Sequence, residues 1–196
     1  MQTLTCPSCG GPAPDVPCAP RVVLASASPR RSQLMREIGL EFDVIPSQVA
    51  ESGILAADPE ELVMLLAHAK AADVAIVVAD GQVLGKPADY DDAAKMLRAL
   101  SGREHQVYSG VAVIDAGSGR SLTDYEVTAV RFRPLTEASI ERYVATGEPM
   151  DKAGAYAIQG LGSLLVTGIR GDYNCVVGLP LCKLAIMLSA FGVDTL

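Results

Sequence analysis

The sequence lacks any apolar run approaching the ~20 residues of a membrane-spanning helix. Residues 1–20 also lack the basic start and apolar stretch of a secretory signal, so the expected location is the cytoplasm. Positive charge is short as well. Sixteen Lys plus Arg stand against 23 Asp plus Glu, a net charge of −7. That sign excludes a protein that coats nucleic acid non-specifically, and any polyanionic ligand must meet a local basic site. Histidine is scarce, and neither His68 nor His105 has Cys or carboxylate neighbours at metal-site spacing. The five cysteines are an odd set, which argues against complete internal disulfide pairing and fits a reducing compartment. Cys6, Cys9 and Cys18 lie in a Pro/Gly-rich leader whose C-P-S-C-G is similar to one knuckle of a zinc ribbon. A closed zinc site takes four ligands and no second CxxC follows. The leader, residues 1–20, is therefore either a disordered segment with free thiols or a partial zinc knuckle completed by a partner chain.

What remains is ample for one domain over residues 21–196. Hydrophobic residues make up 49% of the chain and charged residues 20%, which excludes disordered, collagenous and coiled-coil chains. Residues 21–25 read as a short buried strand, Ser28 and Pro29 as the start of a helix, and Gly39 as its stop. A second strand is expected over 41–46. Asp58 caps a helix reaching about Ala75, with Leu62, Leu65, Leu66 and Ala69 as its buried stripe. A hairpin over 76–84 turns at Asp80-Gly81. Asp89 or Asp91 caps the next helix, a large antiparallel hairpin spans 105–133, Thr136 caps another helix, and an amphipathic helix closes the chain from Leu179-Pro180. This order predicts a mixed α/β fold: a mixed, twisted sheet flanked by helices, with one long antiparallel hairpin.

The sharpest chemical signal is Ser26-Ala27-Ser28-Pro29-Arg30-Arg31 at the first strand-to-helix junction. Free N–H groups and the positive helix end form an anion site there. Two arginines in a first helical turn oppose the macrodipole, which points to a bound phosphate; the competing reading pairs both with surface carboxylates.

Five stretches in order, S-A-S-P-R-R (26–31), L-G-K-P (84–87), L-S-G before His105, D-K-A-G-A-Y-A-I-Q-G (151–160) and V-V-G-L-P (176–180), resemble the Maf family of nucleoside triphosphate pyrophosphatases. The resemblance covers about residues 21–193. It implies a Maf/ITPase-like substrate cleft between two lobes. It also implies hydrolysis of a nucleoside triphosphate to monophosphate and pyrophosphate, with a divalent cation such as Mg2+. Ile158-Gln159-Gly160 resembles the branch acting on dTTP and UTP rather than on 7-methyl-GTP. By position, Ser28, Arg30 and Arg31 match the phosphate cradle, Lys70 and Lys86 match family lysines, and Gln159 matches the base contact. Glu51 matches the second member of an Asp-Glu pair, and is the metal-ligand candidate because Ala50 replaces the first. The expected partner is the triphosphate, with neither nucleic acid nor membrane, and a homodimer is left open.

One departure is conspicuous. Where the family has a strand with Gly-Ala-Asp-Thr carrying its catalytic acid, residues 69–75 run straight into 76–81, and a dozen or more residues are absent. Asp73, 13 residues before Lys86, either takes that catalytic role or belongs to the polar face of the preceding helix. A third reading is a loop in the molecule that these residues omit. The loss is expected to leave a sheet edge for a neighbouring segment or a second subunit to cover. The alternative function is accordingly a catalytically weak, nucleotide-binding Maf-like protein in cell-division control. Cys175 stands where the family often has Asn, next to Tyr173 and Asn174 at a cleft-lining turn.

Overall fold

The computed structural model describes residues 20–47, 58–70 and 74–195. Strand β1 (Val22–Leu24) leads through helix α1 (Pro29–Glu37) into β2 (Phe42–Val44), which pairs parallel to β1 as a separate two-stranded sheet. Helix α1 stops where Gly39 enters the left-handed region, φ +72. The Gly39 and Leu40 N–H groups then close back on the Arg36 and Met35 carbonyls at 2.9 and 3.2 Å, a Schellman ending.

Helix α2 (Pro59–Lys70) is capped by Asp58, whose Oδ1 accepts the Glu61 N–H at 2.8 Å. It differs from expectation in two respects. It ends at Lys70 rather than near Ala75, because Val74 to Ala79 form strand β3 against β5, and the β-branched run Val74, Ile76, Val77, Val78 suits an extended chain. Its buried face is Val63, Leu66 and Ala67, while Leu65 is exposed. Gly110 of β5 decides that register: a Cβ there would lie 2.4 Å from the Val63 carbonyl oxygen, so the helix rests directly on a strand backbone that only glycine leaves open.

The main sheet has the order β4-β3-β5-β6-β7 and is antiparallel throughout. Strands β3 (Val74–Ala79) and β4 (Gln82–Leu84) turn through Asp80 and Gly81, both at positive φ, as a two-residue hairpin requires. Ala75 and Ile76 are consecutive residues of β3, paired with Ser109 and Tyr108, so the chain crosses the shortened junction in regular strand. The chain's own β4 covers β3 at Val77–Ala79. The long hairpin is β5 (Glu104–Ile114) and β6 (Ser121–Phe132), in register from Glu104↔Arg131 to Ile114↔Ser121. β7 (Val166–Arg170) flanks β6.

Helix α3 (Tyr90–Leu100), capped by Asp89, and α4 (Glu137–Ala145), with a capping box of Thr136 and Ser139, cover one part of the sheet. Ala93, Leu97, Leu100, Ile140 and Val144 pack there with Val77, Val130 and Phe132. Helix α6 (Leu181–Ser189) packs with α1, Leu24 and Val111 in a second core, and α2 covers a third. Short α5 (Tyr173–Val177) precedes α6. Among the described residues no helix is long and apolar enough to cross a membrane.

Candidate active site

The cores leave between them a cleft of about 640 Å³. Its walls are the β1–α1 junction, the edge of β3, the turn after β4, residues 151–159, and the end of α5.

At the junction, Ser28 takes the N-cap position in extended geometry, but its hydroxyl makes no cap bond. Its N–H donates to Ser26 Oγ at 3.3 Å. The two arginines, paired in the sequence reading, divide their work. Arg31 donates from Nε to the Gly178 carbonyl at 3.0 Å and from NH1 to Ser26 Oγ at 2.8 Å, tying the junction to the end of α5. Arg30 lines the cleft, its side chain 35% exposed, and among the described residues meets only the Asp151 carboxylate, at 3.9 Å. The surface-carboxylate reading is met at Arg30 by one long contact, to Asp151.

The turn Gly85-Lys86 is exposed and also lines the cleft. The Gly85 carbonyl accepts the Gly154 N–H at 3.0 Å, joining L-G-K-P to D-K-A-G. Gly154 is at φ +69 with Val77 2.9 Å from where a Cβ would be, and the next residue, Ala155, holds φ +58 although it has a Cβ. Such strain beside a cleft is held only by surrounding packing, and Ala155 is fully buried.

Asp151 and Lys152, which the motif contains but the reading of site residues passed over, both line the cleft. Lys152, with its side chain 13% exposed, pairs with the Asp151 carboxylate and donates to the Glu148 carbonyl at 3.2 Å. Desolvation opposes ionisation of Asp151, but the Lys152 hydrogen bond and charge, with Arg30 beyond, hold its pKa below the ordinary carboxylate value. Gln159 also lines the cleft, exposed and next to Ile158.

Three expected participants have no described side chain. Glu51 and Asp73 lie outside the described residues, and Lys70 is described only as the last residue of α2. Cys6, Cys9 and Cys18 also lie outside. Among the described residues no group of three or more His, Cys, Asp or Glu could hold a metal ion.

The other reactive groups are structural. His105 is buried with Nε2 2.8 Å from the Tyr156 hydroxyl and edge-on to Phe132, and burial lowers its pKa to about 4. Cys175 is buried with its thiol toward the Glu126 and Val107 carbonyls at 3.3 and 3.5 Å; burial pushes its pKa up to about 11, the wrong direction for a nucleophile. The cleft wall near it is Val176 to Gly178 rather than Tyr173 and Asn174.

This geometry can hold an anion in the cleft, whose lining brings together Ser28, Arg30, Lys86 and Lys152, with Gln159 available to a planar group. Comparison with known proteins agrees. Residues 21–191 match the family model described as Maf-like protein. The dTTP/UTP pyrophosphatase of Moorella thermoacetica is 51% identical over 187 residues, covering 89% of this chain and 96% of that protein. That of Pelotomaculum thermopropionicum is 48% identical over 188 residues, covering 89% and 98%. That of Syntrophotalea carbinolica is 47% identical over 186 residues, covering 87% and 84%. In the Pelotomaculum alignment 89% of this chain is about 174 residues against 188 positions, so about 14 positions carry no residue of this chain. The five ordered motifs, the cleft that four of them help to line and these matches have one reading: the chain belongs to the Maf family.

Proposed function

We propose that this protein hydrolyses dTTP and UTP to the monophosphate and pyrophosphate, acting on the cytoplasmic nucleotide pool. The observation that carries the reading is the cleft itself, where Ser28, Arg30, Lys86 and Lys152 line one space with Gln159. The names of relatives at 47–51% identity support the same reaction. Arg30, Lys86 and Lys152 would gather the phosphate oxygens and stabilise charge as it grows on the departing pyrophosphate. Lys70 would add to them from the end of α2. Gln159 would offer donor and acceptor to the pyrimidine edge. Water adds at the α-phosphorus, the α–β anhydride bond breaks, and pyrophosphate leaves.

The donors suit a magnesium ion, which takes one or two carboxylates and otherwise phosphate and water oxygens. Asp151 presents such a carboxylate on the cleft wall, its side chain 68% exposed, and Glu51 is the acid the resemblance implies. Bound there, the ion would neutralise phosphate charge. For the proton of the attacking water we propose Asp73, which stands one residue before β3 and two before Ala75 at the cleft wall. The test is release of pyrophosphate from dTTP and UTP with Mg2+, measured with and without an added pyrophosphatase. Orthophosphate appearing only with the added enzyme supports the reading, and orthophosphate without it overturns the reading.

A further inference from the structure

We propose that Glu148 and Tyr143 are positioning residues that set the base selectivity of the cleft by holding the segment that carries Gln159. The inference rests on the pyrimidine reading above. Neither residue is among those lining the cleft, so both act through the backbone they bind.

Glu148 opens the 3-10 turn Glu148–Asp151 that follows α4. Its Oε1 accepts the Tyr143 hydroxyl at 2.9 Å and the Gly162 N–H at 2.9 Å, and its Oε2 accepts the Leu161 N–H at 3.1 Å. The Tyr143 oxygen in turn accepts the Ala157 N–H at 3.2 Å. One carboxylate–phenol pair therefore fastens both ends of residues 157–162. Ile158 and Gln159, between the fastened ends, face the cleft.

The loop is moulded to the pair. Gly160, at φ +66, would place a Cβ 2.8 Å from Glu148 Oε2, and at Gly162 a Cβ would lie 2.6 Å from the Tyr143 oxygen and 2.2 Å from the Ala157 carbonyl. Any side chain there would push the loop off its anchor. The protonation states suit the roles. Burial, above all, keeps the Tyr143 phenol protonated as a donor. Desolvation opposes ionisation of Glu148, but the Gly162 and Leu161 N–H groups and the Tyr143 hydroxyl outweigh it and keep the carboxylate charged.

Three donors converge on Glu148, and only a carboxylate accepts them all. Glu148→Gln would turn an NH2 toward at least one of them, and Tyr143→Phe would remove the Ala157 acceptor and one donor to Glu148. Neither change touches Ser28, Arg30 or Lys86. The Lys152 ammonium binds the Glu148 backbone carbonyl, which the substitution leaves in place. Loosening should thus fall on base recognition and leave phosphate handling intact.

The experiment measures kcat and KM for UTP and ATP with the wild-type protein, Glu148→Gln and Tyr143→Phe. Expected is a wild-type preference for UTP and, in each variant, a rise in UTP KM of about 10- to 100-fold with kcat within about 3-fold, as for losing a hydrogen bond to a charged group. The ATP values should stay near wild type, so the preference collapses. Tyr143→Phe alone carries the test if Glu148→Gln does not fold. Equal losses on both nucleotides, or an unchanged UTP/ATP ratio, would overturn the positioning role. A wild-type protein with no pyrimidine preference would instead overturn the functional reading beneath it.

Discussion

Buried among Phe132 and Tyr156, His105 should make the fold sensitive to mild acid. The ring is 3% exposed, and its Nε2 meets the Tyr156 hydroxyl at 2.8 Å while Nδ1 has no hydrogen-bond partner among the described residues. Burial lowers its pKa from 6.5 to about 4, against a smaller opposing effect of Glu104. Between those values the unfolded chain binds a proton that the folded protein refuses, so stability must rise with pH across that window. The contribution is fully present above pH 6.5 and is lost progressively as the pH falls to about 4. A fall from 6.5 to about 4 corresponds to about 3 kcal/mol. That is a large share of the ~5–15 kcal/mol stability of an ordinary domain. Urea unfolding at pH 7.5, 6.0, 5.0 and 4.5 measures it, with His105→Gln as reference. Carboxylates such as Glu148 and Asp151, whose pKa values are lowered, also lose stabilisation in acid, but they do so equally in both proteins. The wild-type curve should therefore fall toward the variant's between pH 6.5 and 4. Parallel curves would refute the reasoning, since they would mean that His105 protonates as readily folded as unfolded.

Arg30→Ala should raise the UTP KM by about 10- to 100-fold while leaving the melting temperature nearly unchanged, because its one partner among the described residues, Asp151, is 3.9 Å away at the surface. Arg31→Ala should lower the melting temperature by several degrees as well, since two hydrogen bonds joining the junction to Gly178 go with it; equal melts for the two variants would contradict this division. Asp73→Asn should reduce kcat for dTTP by about 10²–10⁴ with KM little changed. Steady-state kinetics showing no change would return Asp73 to a solvated surface acid.

Features governed by neighbouring residues were legible in the sequence. Gly39, Asp58 and Thr136 stop or cap their helices as read, and of the two candidates Asp89 and Asp91 it is Asp89 that caps α3, because those bonds close within a few residues. The face of α2 was not, since Leu62 to Leu66 are all apolar and Gly110, far along the chain, makes the choice. The cleft was implied by the resemblance that the ordered motifs carry, and Ser28, Arg30, Arg31, Lys86 and Gln159 stand among its lining residues. The separation of Arg31 from Arg30 did not, because its partner Gly178 lies 147 residues away. Lys152 stood in the quoted D-K-A-G and was passed over, since a lysine beside an aspartate reads as a surface pair until the 13% exposure of its side chain is known.

The most direct test is product analysis of dTTP turned over by the full chain with Mg2+, resolved by 31P nuclear magnetic resonance. The account predicts dTMP and pyrophosphate in equal amounts, with no dTDP and no orthophosphate at early times. Appearance of dTDP with orthophosphate, or intact dTTP after prolonged incubation with folded protein, would contradict it.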